Sequence, residues 1–464
     1  MRVPVAYYLD QITGANLYPT RGKISQVVGI AMEGYVPNCV IGDVCEIETL
    51  KSKILAEVVG FRDGKVLLMP LSELAGVGPG SAVVHLGAES AQVPVSVSLL
   101  GRVLNGLGEP IDGLGPIEAK EFYPLHAAPQ SHLARQRITE PLDVGIRSIN
   151  GLLTIGRGQR MGIFSGSGVG KSVLLGMMAR YTAADVNVIA LIGERGREVK
   201  EFIERDLTNE GLARSVVIVA TSDQPPLVRR RGAFVAMAIA EYFRDRGMHV
   251  LFMMDSLTRL AHVQREIGLA VGEPPTTKGY TPSVFALMPK FLERAGTTPH
   301  QGSITGIYSV LVDGDDLNDP IPDAARSILD GHVVLSRDLA IQNQYPAVDV
   351  LASISRVMVD IVPQSQMEHT RRFCELLATY KRAEDLIHIG AYKPGSSVRV
   401  DEAILKWDGL LACLRQEINV AATLKESAEA VKTAVATIPQ GSRGEPGVEF
   451  ERRQVPAPRD DGVL

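Results

Sequence analysis

The sequence predicts an α/β core built on a parallel sheet, preceded by a small β-barrel and followed by a helical domain. Three observations carry this. Between residues 20 and 88, short alternating or apolar runs (GKISQVVGIAM, GDVCEIETL, KILAEVVGF, KVLLMPL, SAVVHLG) are separated by Gly, Pro and Asn, as in small barrels. From residue 150 the rhythm changes to apolar strand, loop and longer helical segment. Beyond Pro363 the strand runs cease and only helical periodicity remains.

The barrel reading covers residues 19–90, after a short N-terminal segment, 1–18. GRVLNGLGEPIDGLGPI (101–117), rich in Gly and Pro, reads as a linker or rim loop. The core, 91–363, contains RMGIFS, VNVIALIG, SVVIVATS, HVLFMMDS and ITGIYSVLV. These do not alternate cleanly, the pattern of strands buried on both faces. Between them SVLLGMMARY, EVKEFIERDL and RRGAFVAMAIAEYFRDRG carry helical spacing, and strand–helix alternation implies a parallel sheet. The segments HTRRFCELLATYKRAEDLIHIGAY and VRVDEAILKWDGLLACLRQEINVAATLKESAEAVKTAVATI predict a helical domain over 364–439. The tail, 440–464, is rich in Pro, Gly and charge and is expected to be disordered.

Composition bounds the function. Of 464 residues, 45% are hydrophobic and 22% charged, as in soluble globular proteins. A net charge of −5 gives no support to a nucleic-acid coat or an anionic-membrane binder. Cys39, Cys45, Cys374 and Cys413 form no C-x-x-C pair, so small buried hydrophobes in a reducing compartment are expected. With no signal-peptide core and no apolar stretch near the roughly 20 residues that span a bilayer, a cytoplasmic protein is expected.

The strongest chemical motif is SGSGVGKS: Ser165, Gly166, Ser167, Gly168, Val169, Gly170, Lys171 and Ser172. It follows a strand and opens a helix, the setting in which backbone amides and the helix N-terminus cradle phosphates. Lys171 would reach the β- and γ-phosphates of ATP, and the Ser172 hydroxyl would ligate Mg²⁺. The phosphate-loop pattern begins with Gly, and Ser165 departs from it. Asp255 closes HVLFMMD; a carboxylate there faces the ligand crevice and could hold Mg²⁺ through water, or cap the helix that follows. Glu194, in GERGREV, ends the next strand after the phosphate loop, where it could orient and deprotonate the attacking water. Arg195 follows it, as a surface ion-pair partner or a cation of the catalytic set. Tyr345 in QYPAVDV could stack on adenine or pack in the core. Arg356 could be an arginine finger or a surface residue. Three lesser features have plainer readings. The run Arg229–Arg231 reads as a solvated face, the acidic stretch Asp313, Asp315, Asp316 and Asp319 as an exposed turn, and Trp407 as core.

Together, GRVLNGLGEPIDG, the phosphate loop, GERGREV, AEYFRDRG, GSITGIYSVLVDGDD, VVLSRDLA and YPAVDVLASISR resemble the catalytic subunits of rotary ATP synthases and their relatives, over roughly residues 20 to 440. SGSGVGKSVLLGMMARY, GEPPTTKGYTPSVFALMPKFLERAG and PDAARSILDGHVVLSRDLA resemble more closely the flagellar protein-export ATPases, kin to the type III secretion ATPases. The resemblance implies a RecA-like P-loop nucleotide-binding core with ATP and Mg²⁺ as ligands. It assigns phosphates and Mg²⁺ to Lys171 and Ser172, the base to Glu194 and the second acidic position to Asp255. Adenine stacking falls to Tyr345, and Arg356 becomes a finger inserted into a neighbour's site. It further implies a homohexamer with a central coiled-coil stalk subunit, a dimeric regulator, membrane export-gate proteins and chaperone–substrate complexes as partners. The ring would sit at the cytoplasmic face of the membrane export apparatus. The segment ahead of the barrel is short, so the helix that binds the regulator in relatives is expected to shrink to VAYYLDQI. Glu273 is acidic where synthase catalytic subunits carry a basic residue, which argues against a proton-driven synthase.

Flagellar export is therefore the expected function, and an injectisome secretion ATPase the alternative. A hexameric RNA translocase would want a basic, aromatic barrel surface, whereas the barrel region offers Tyr35 and Phe61 among interspersed acids.

Overall fold

A computed structural model describes residues 21–49, 52–86, 91–131, 133–312, 314, 316 and 318–436. The VAYYLDQI segment, the 440–464 tail, Asp313 and Asp315 lie outside them. The described chain begins with a closed barrel of β1 (Arg21–Val28), β2 (Ala31–Tyr35), β3 (Val44–Glu48), β4 (Lys53–Arg62), β5 (Lys65–Pro70) and β6 (Ala82–His85), ordered β1-β2-β5-β4-β3-β6. Alternate residues point inward, so Ile24, Met32, Ile47, Val58, Leu68 and Val83 fill the interior. At Gly34 a Cβ would stand 2.6 Å from the Lys23 carbonyl oxygen, a close approach that only glycine permits.

The core strands are β7 (Val103–Asn105), β8 (Arg160–Ser165), β9 (Val186–Ile192), β10 (Ser215–Ala220), β11 (His249–Asp255), β12 (Ser303–Leu311), β13 (Gly331–Leu335) and β14 (Val348–Ser355). Their order is β14-β13-β8-β12-β11-β9-β10-β7, parallel throughout except the antiparallel pair β13–β14. The supposed linker at 101–117 thus supplies an edge strand, β7. Asp112 holds it by accepting from Arg102 Nε at 2.7 Å and from the Val103 amide at 3.0 Å.

Along β9, Val188 and Ala190 enter one apolar cluster while Ile189 and Leu191 enter another. Non-alternating strands therefore lie between two helical layers. One layer holds α1 (Lys171–Tyr181). The other holds α2 (Pro226–Asp245) and α3 (Leu257–Val271). After Pro363 come α4 (Gln364–His388), α5 (Val398–Leu414) and α6 (Leu424–Val435), whose apolar faces continue the α1-side cluster. The long helical pattern predicted from Val398 breaks between α5 and α6. Trp407 packs as expected, stacked on Tyr380 with ring centroids 3.7 Å apart.

Arg229–Arg231 corrects the solvated-face reading. Arg230 pairs with Glu57 of β4 at 2.5 Å and Arg229 with Glu266 of α3 at 2.7 Å, so the run ties the barrel and α3 to α2. Asp319 likewise is no free turn residue: it pairs with Lys278 at 2.6 Å. The four cysteines are free, with Cys45 and Cys413 buried, and burial pushes the Cys45 thiol up to about 12. Among the described residues, no helix is long and apolar enough to cross a membrane.

Beneath α2, Arg294 makes a two-pronged contact with Glu241 (2.9 and 2.6 Å) and donates to the Leu125 carbonyl at 2.6 Å; both side chains are buried. Truncating one member strands a buried charge. Arg294→Ala is expected to cost about 3–5 kcal/mol, read from the midpoint of urea denaturation. An unchanged midpoint would mean that water replaces the guanidinium without penalty.

Candidate active site

The phosphate loop leaves β8 at Ser165 and enters α1 at Lys171. Gly168 (φ +79°) and Gly170 (φ +89°) take left-handed backbone, which L side chains rarely adopt. No side chain caps α1 at Gly170, so its first amides remain available to an anion. Ser165, at the non-glycine position, is accommodated as the last residue of β8, its hydroxyl buried without a partner among the described residues.

The Lys171 Nζ lies 2.5 Å from Asp255 Oδ1, and the Ser309 hydroxyl of β12 donates to the same oxygen at 2.6 Å. Ser256, not Asp255, caps α3, its side chain accepting from the Arg259 amide. Glu194 was expected on the next strand over. Instead β9 stands three positions from β8 in the sheet, with β12 and β11 between them. Glu194 nonetheless lines the same cavity as Lys171 and Ser172, about 510 Å³ in volume. Burial pushes its carboxyl up to about 7, the Asp255 charge adds to the shift and Lys171 opposes it. Its Oε1 is buried without a hydrogen-bond partner among the described residues, 3.9 Å from Arg259 Nε. Arg195 also lines the cavity, largely exposed and 3.7 Å from Glu198.

On the other side of the loop lies an apolar cavity of about 320 Å³, walled by Gly168, Gly170, Val173, Met177, Leu335 and Tyr345 and closed by Gln416 and Ile418. The Tyr345 ring sits 3.6 Å from where a Gly170 Cβ would stand. A polar cavity and an apolar one thus share the phosphate loop, matching the two ends of a nucleotide.

Arg356 is not with them. β14 runs antiparallel to β13, pairing Val348 with Leu335 and Ser355 with Gly331, while Leu335 pairs with Ser165. Tyr345 therefore falls beside the phosphate loop, and Arg356 falls at the opposite end of the sheet, roughly 13 Å along the strands. There it is exposed, its guanidinium donating to the Leu329 and Arg326 carbonyls at 3.3 and 3.4 Å.

Sequence reasoning missed several residues. Arg259 lies in the first turn of α3, just after Asp255 at the end of β11, a position that could have flagged it. Arg205 reaches the polar cavity from Phe202–Leu207, where the predicted regular helix widens into a π-type turn. Such turns recur at functional sites. Gln416 and Ile418 come from the helical domain and had no local signal.

Known proteins fit this architecture. Residues 24–87, 145–355 and 362–433 match, respectively, the ATP synthase alpha/beta family beta-barrel domain, the nucleotide-binding domain of that family and the T3SS EscN ATPase C-terminal domain. A flagellum-specific ATP synthase of Bacillus subtilis is 53% identical over 432 residues, covering 91% of this chain and 97% of the relative. The chain belongs to the flagellar and type III secretion ATPases of the ATP synthase alpha/beta family. Within this ATPase family, a type 3 secretion system ATPase of Xanthomonas euvesicatoria is 52% identical, covering 85% of this chain and 89% of its own. The solved structure of the assembled ATPase EscN from enteropathogenic E. coli superposes with a TM-score of 0.84 at 42% identity, over 89% of this chain and 100% of that one. EscN has also been solved in complex with its central stalk EscO, with a TM-score of 0.83 at 42% identity over the same shares. As a member of this family the chain is an ATPase, with a RecA-like core between barrel and helical domain.

Proposed function

We propose that this ATPase drives protein export through a flagellar type III apparatus, hydrolysing Mg·ATP in the cavity shared by the phosphate loop and Glu194, with Asp255 held against Lys171. The observation that carries it is the convergence of Lys171, Ser172 and a proton-holding Glu194 on one cavity, with Asp255 bonded to Lys171, in a chain so similar to flagellum-specific ATP synthases. In this reading the loop amides from Gly166 to Gly170, with Lys171, hold the β- and γ-phosphates. Val169 and the flanking serines shape the loop, and Tyr345 covers the base. Glu194 takes a proton from the attacking water, and Arg195 adds positive potential at the mouth. A neighbour's Arg356 meets the charge that develops on the γ-phosphate.

The residues fit Mg²⁺. The Ser172 hydroxyl and the Asp255 carboxylate are hard oxygen donors, and Mg²⁺ in such sites is held by one or two carboxylates together with substrate phosphates. Lys171 occupies one Asp255 oxygen and leaves the other for a water. When bound, Mg²⁺ would supply neutralisation of phosphate charge.

A finger that cannot reach its own site implies a ring, here a homohexamer. The likeness to an assembled EscN, and to EscN with its stalk, supports a ring around a coiled-coil stalk subunit. The dimeric regulator, the export-gate proteins and the chaperone–substrate complexes complete the proposed partners, at the cytoplasmic face of the membrane. A second reading, an injectisome secretion ATPase, is favoured by the EscN-type helical domain and the Xanthomonas relative.

Deleting the gene is expected to abolish export of flagellar filament protein. The wild-type gene should restore it and a Lys171→Ala copy should not. Intact filaments with lost effector secretion would move the protein to the second reading.

A further inference from the structure

Gln416 lies in the connection between α5 and α6 and is buried, although nothing in its local sequence marks it as special. Every hydrogen-bonding group it owns on the side chain is committed. Its Oε1 accepts from the Arg147 amide at 2.6 Å, and its Nε2 donates to the Gly145 carbonyl at 2.7 Å and the Val420 carbonyl at 2.6 Å. Its backbone amide donates to the Tyr345 carbonyl at 2.9 Å. One residue therefore bolts together the segment ahead of β8, the α5–α6 connection and the aromatic beside the phosphate loop.

The rest of the connection is pinned to the same elements. The Ile418 carbonyl accepts from Tyr181 Oη and Arg180 Nη2 of α1, each at 3.0 Å. Arg147 caps α5 by donating to the Ala412 and Arg415 carbonyls at 3.0 and 3.1 Å. Gln416 and Ile418 close the apolar cavity whose other walls come from the loop, α1 and Tyr345. With both amide hydrogens spent inside the protein, this side chain has no donor to offer the edge of a base. Its bonds instead fix where the cavity wall and the ring above it stand.

We propose that Gln416 is the positioning residue of the base cavity, holding the α5–α6 connection and Tyr345 in register so that a nucleotide base is gripped by packing. The inference rests on the reading of the two cavities as an ATP site. Losing Gln416 loosens the base end of the nucleotide and leaves the phosphate end intact, because none of its partners belongs to the phosphate loop.

The test compares Mg·ATP with inorganic tripolyphosphate, which offers the phosphates and no base, titrated calorimetrically into the full chain. Gln416→Leu, close in volume and without an amide, is expected to weaken Mg·ATP about tenfold, from the loss of buried hydrogen bonds. Tripolyphosphate affinity should stay within about twofold, and KM for ATP should rise with kcat little changed. Tyr345→Ala should weaken ATP similarly, and the double variant should lose less than the product of the two single effects, as coupled residues do. Equal weakening of both probes, or unchanged ATP affinity, overturns the proposal. Should Gln416→Leu fail to fold, Ile418→Ala, half exposed on the same connection, must show the same split between probes. A wild-type chain that binds neither probe rejects the ATP-site reading itself, a distinct outcome.

Discussion

Glu194→Gln is expected to bind Mg·ATP with near wild-type affinity and to hydrolyse it about 10²–10⁴-fold more slowly, the range a positioned general base supplies. The substitution is nearly isosteric, so the cavity and the phosphate grip of Lys171 persist while the proton acceptor is lost. The pH dependence distinguishes this from a general loss of structure. Glu194 holds its proton up to about 7, first because it is buried and then because Asp255 repels a second negative charge. As a base it works only when ionised, so the wild-type rate should climb with pH through about 7, and the residual rate of Glu194→Gln should lack that limb. Stability runs the other way. The fold favours the protonated carboxyl, so this group's contribution is complete below its ordinary range and is lost as pH rises through about 7. Measuring kcat/KM from below to above neutrality, with nucleotide binding checked separately, tests the assignment. A variant that keeps both the rate and the limb removes Glu194 as the base.

The fold was legible where burial imposes a pattern. β11 shows as an apolar run and β9 as one broken only by Asn187, because both faces meet helices. In the barrel, β1 alternates where one face is buried, whereas β5, packed on both faces, reads as apolar beyond Lys65. β7 escaped because three residues between glycines are too few to reveal a period, and its strand character comes from pairing with β10. At the site, the phosphate loop was legible because its glycines and Lys171 work locally. Glu194 was found but mis-seated, since strand order in a sheet is fixed by crossovers that leave no mark at the residue itself. Arg229 and Arg230 looked solvated because their carboxylates, Glu57 and Glu266, are remote in sequence. Gln416 and Ile418 were invisible for the same reason: a wall contributed by the helical domain exists only once the chain has folded back onto α1.

That same distance between sequence and space makes Arg356 the more demanding case. Its separation from Lys171 follows from register, since β14 carries Tyr345 to the phosphate loop and Arg356 to the far end of the sheet. If a neighbour uses it, Arg356→Ala should fall about 10³–10⁵-fold in turnover, the worth of an arginine finger. Arg356→Lys should not recover, because a point charge cannot reproduce the planar fork. Lys171→Ala should be equally inactive for a different reason, the lost grip on the β- and γ-phosphates. The two defects lie on opposite sides of one interface. In a mixed ring, an Arg356→Ala subunit has an intact phosphate loop and can borrow the intact finger of a Lys171→Ala neighbour. With equal amounts of the two, about one interface in four joins that pair in the productive order, by the head-to-tail geometry of a ring. Activity should therefore rise well above either parent on mixing, towards a quarter of wild type if sites fire independently. Native mass spectrometry would confirm that mixed rings have formed. Mixed rings no more active than their parents would return Arg356 to a surface role on its own subunit, since a residue acting within its own chain cannot be rescued by a neighbour.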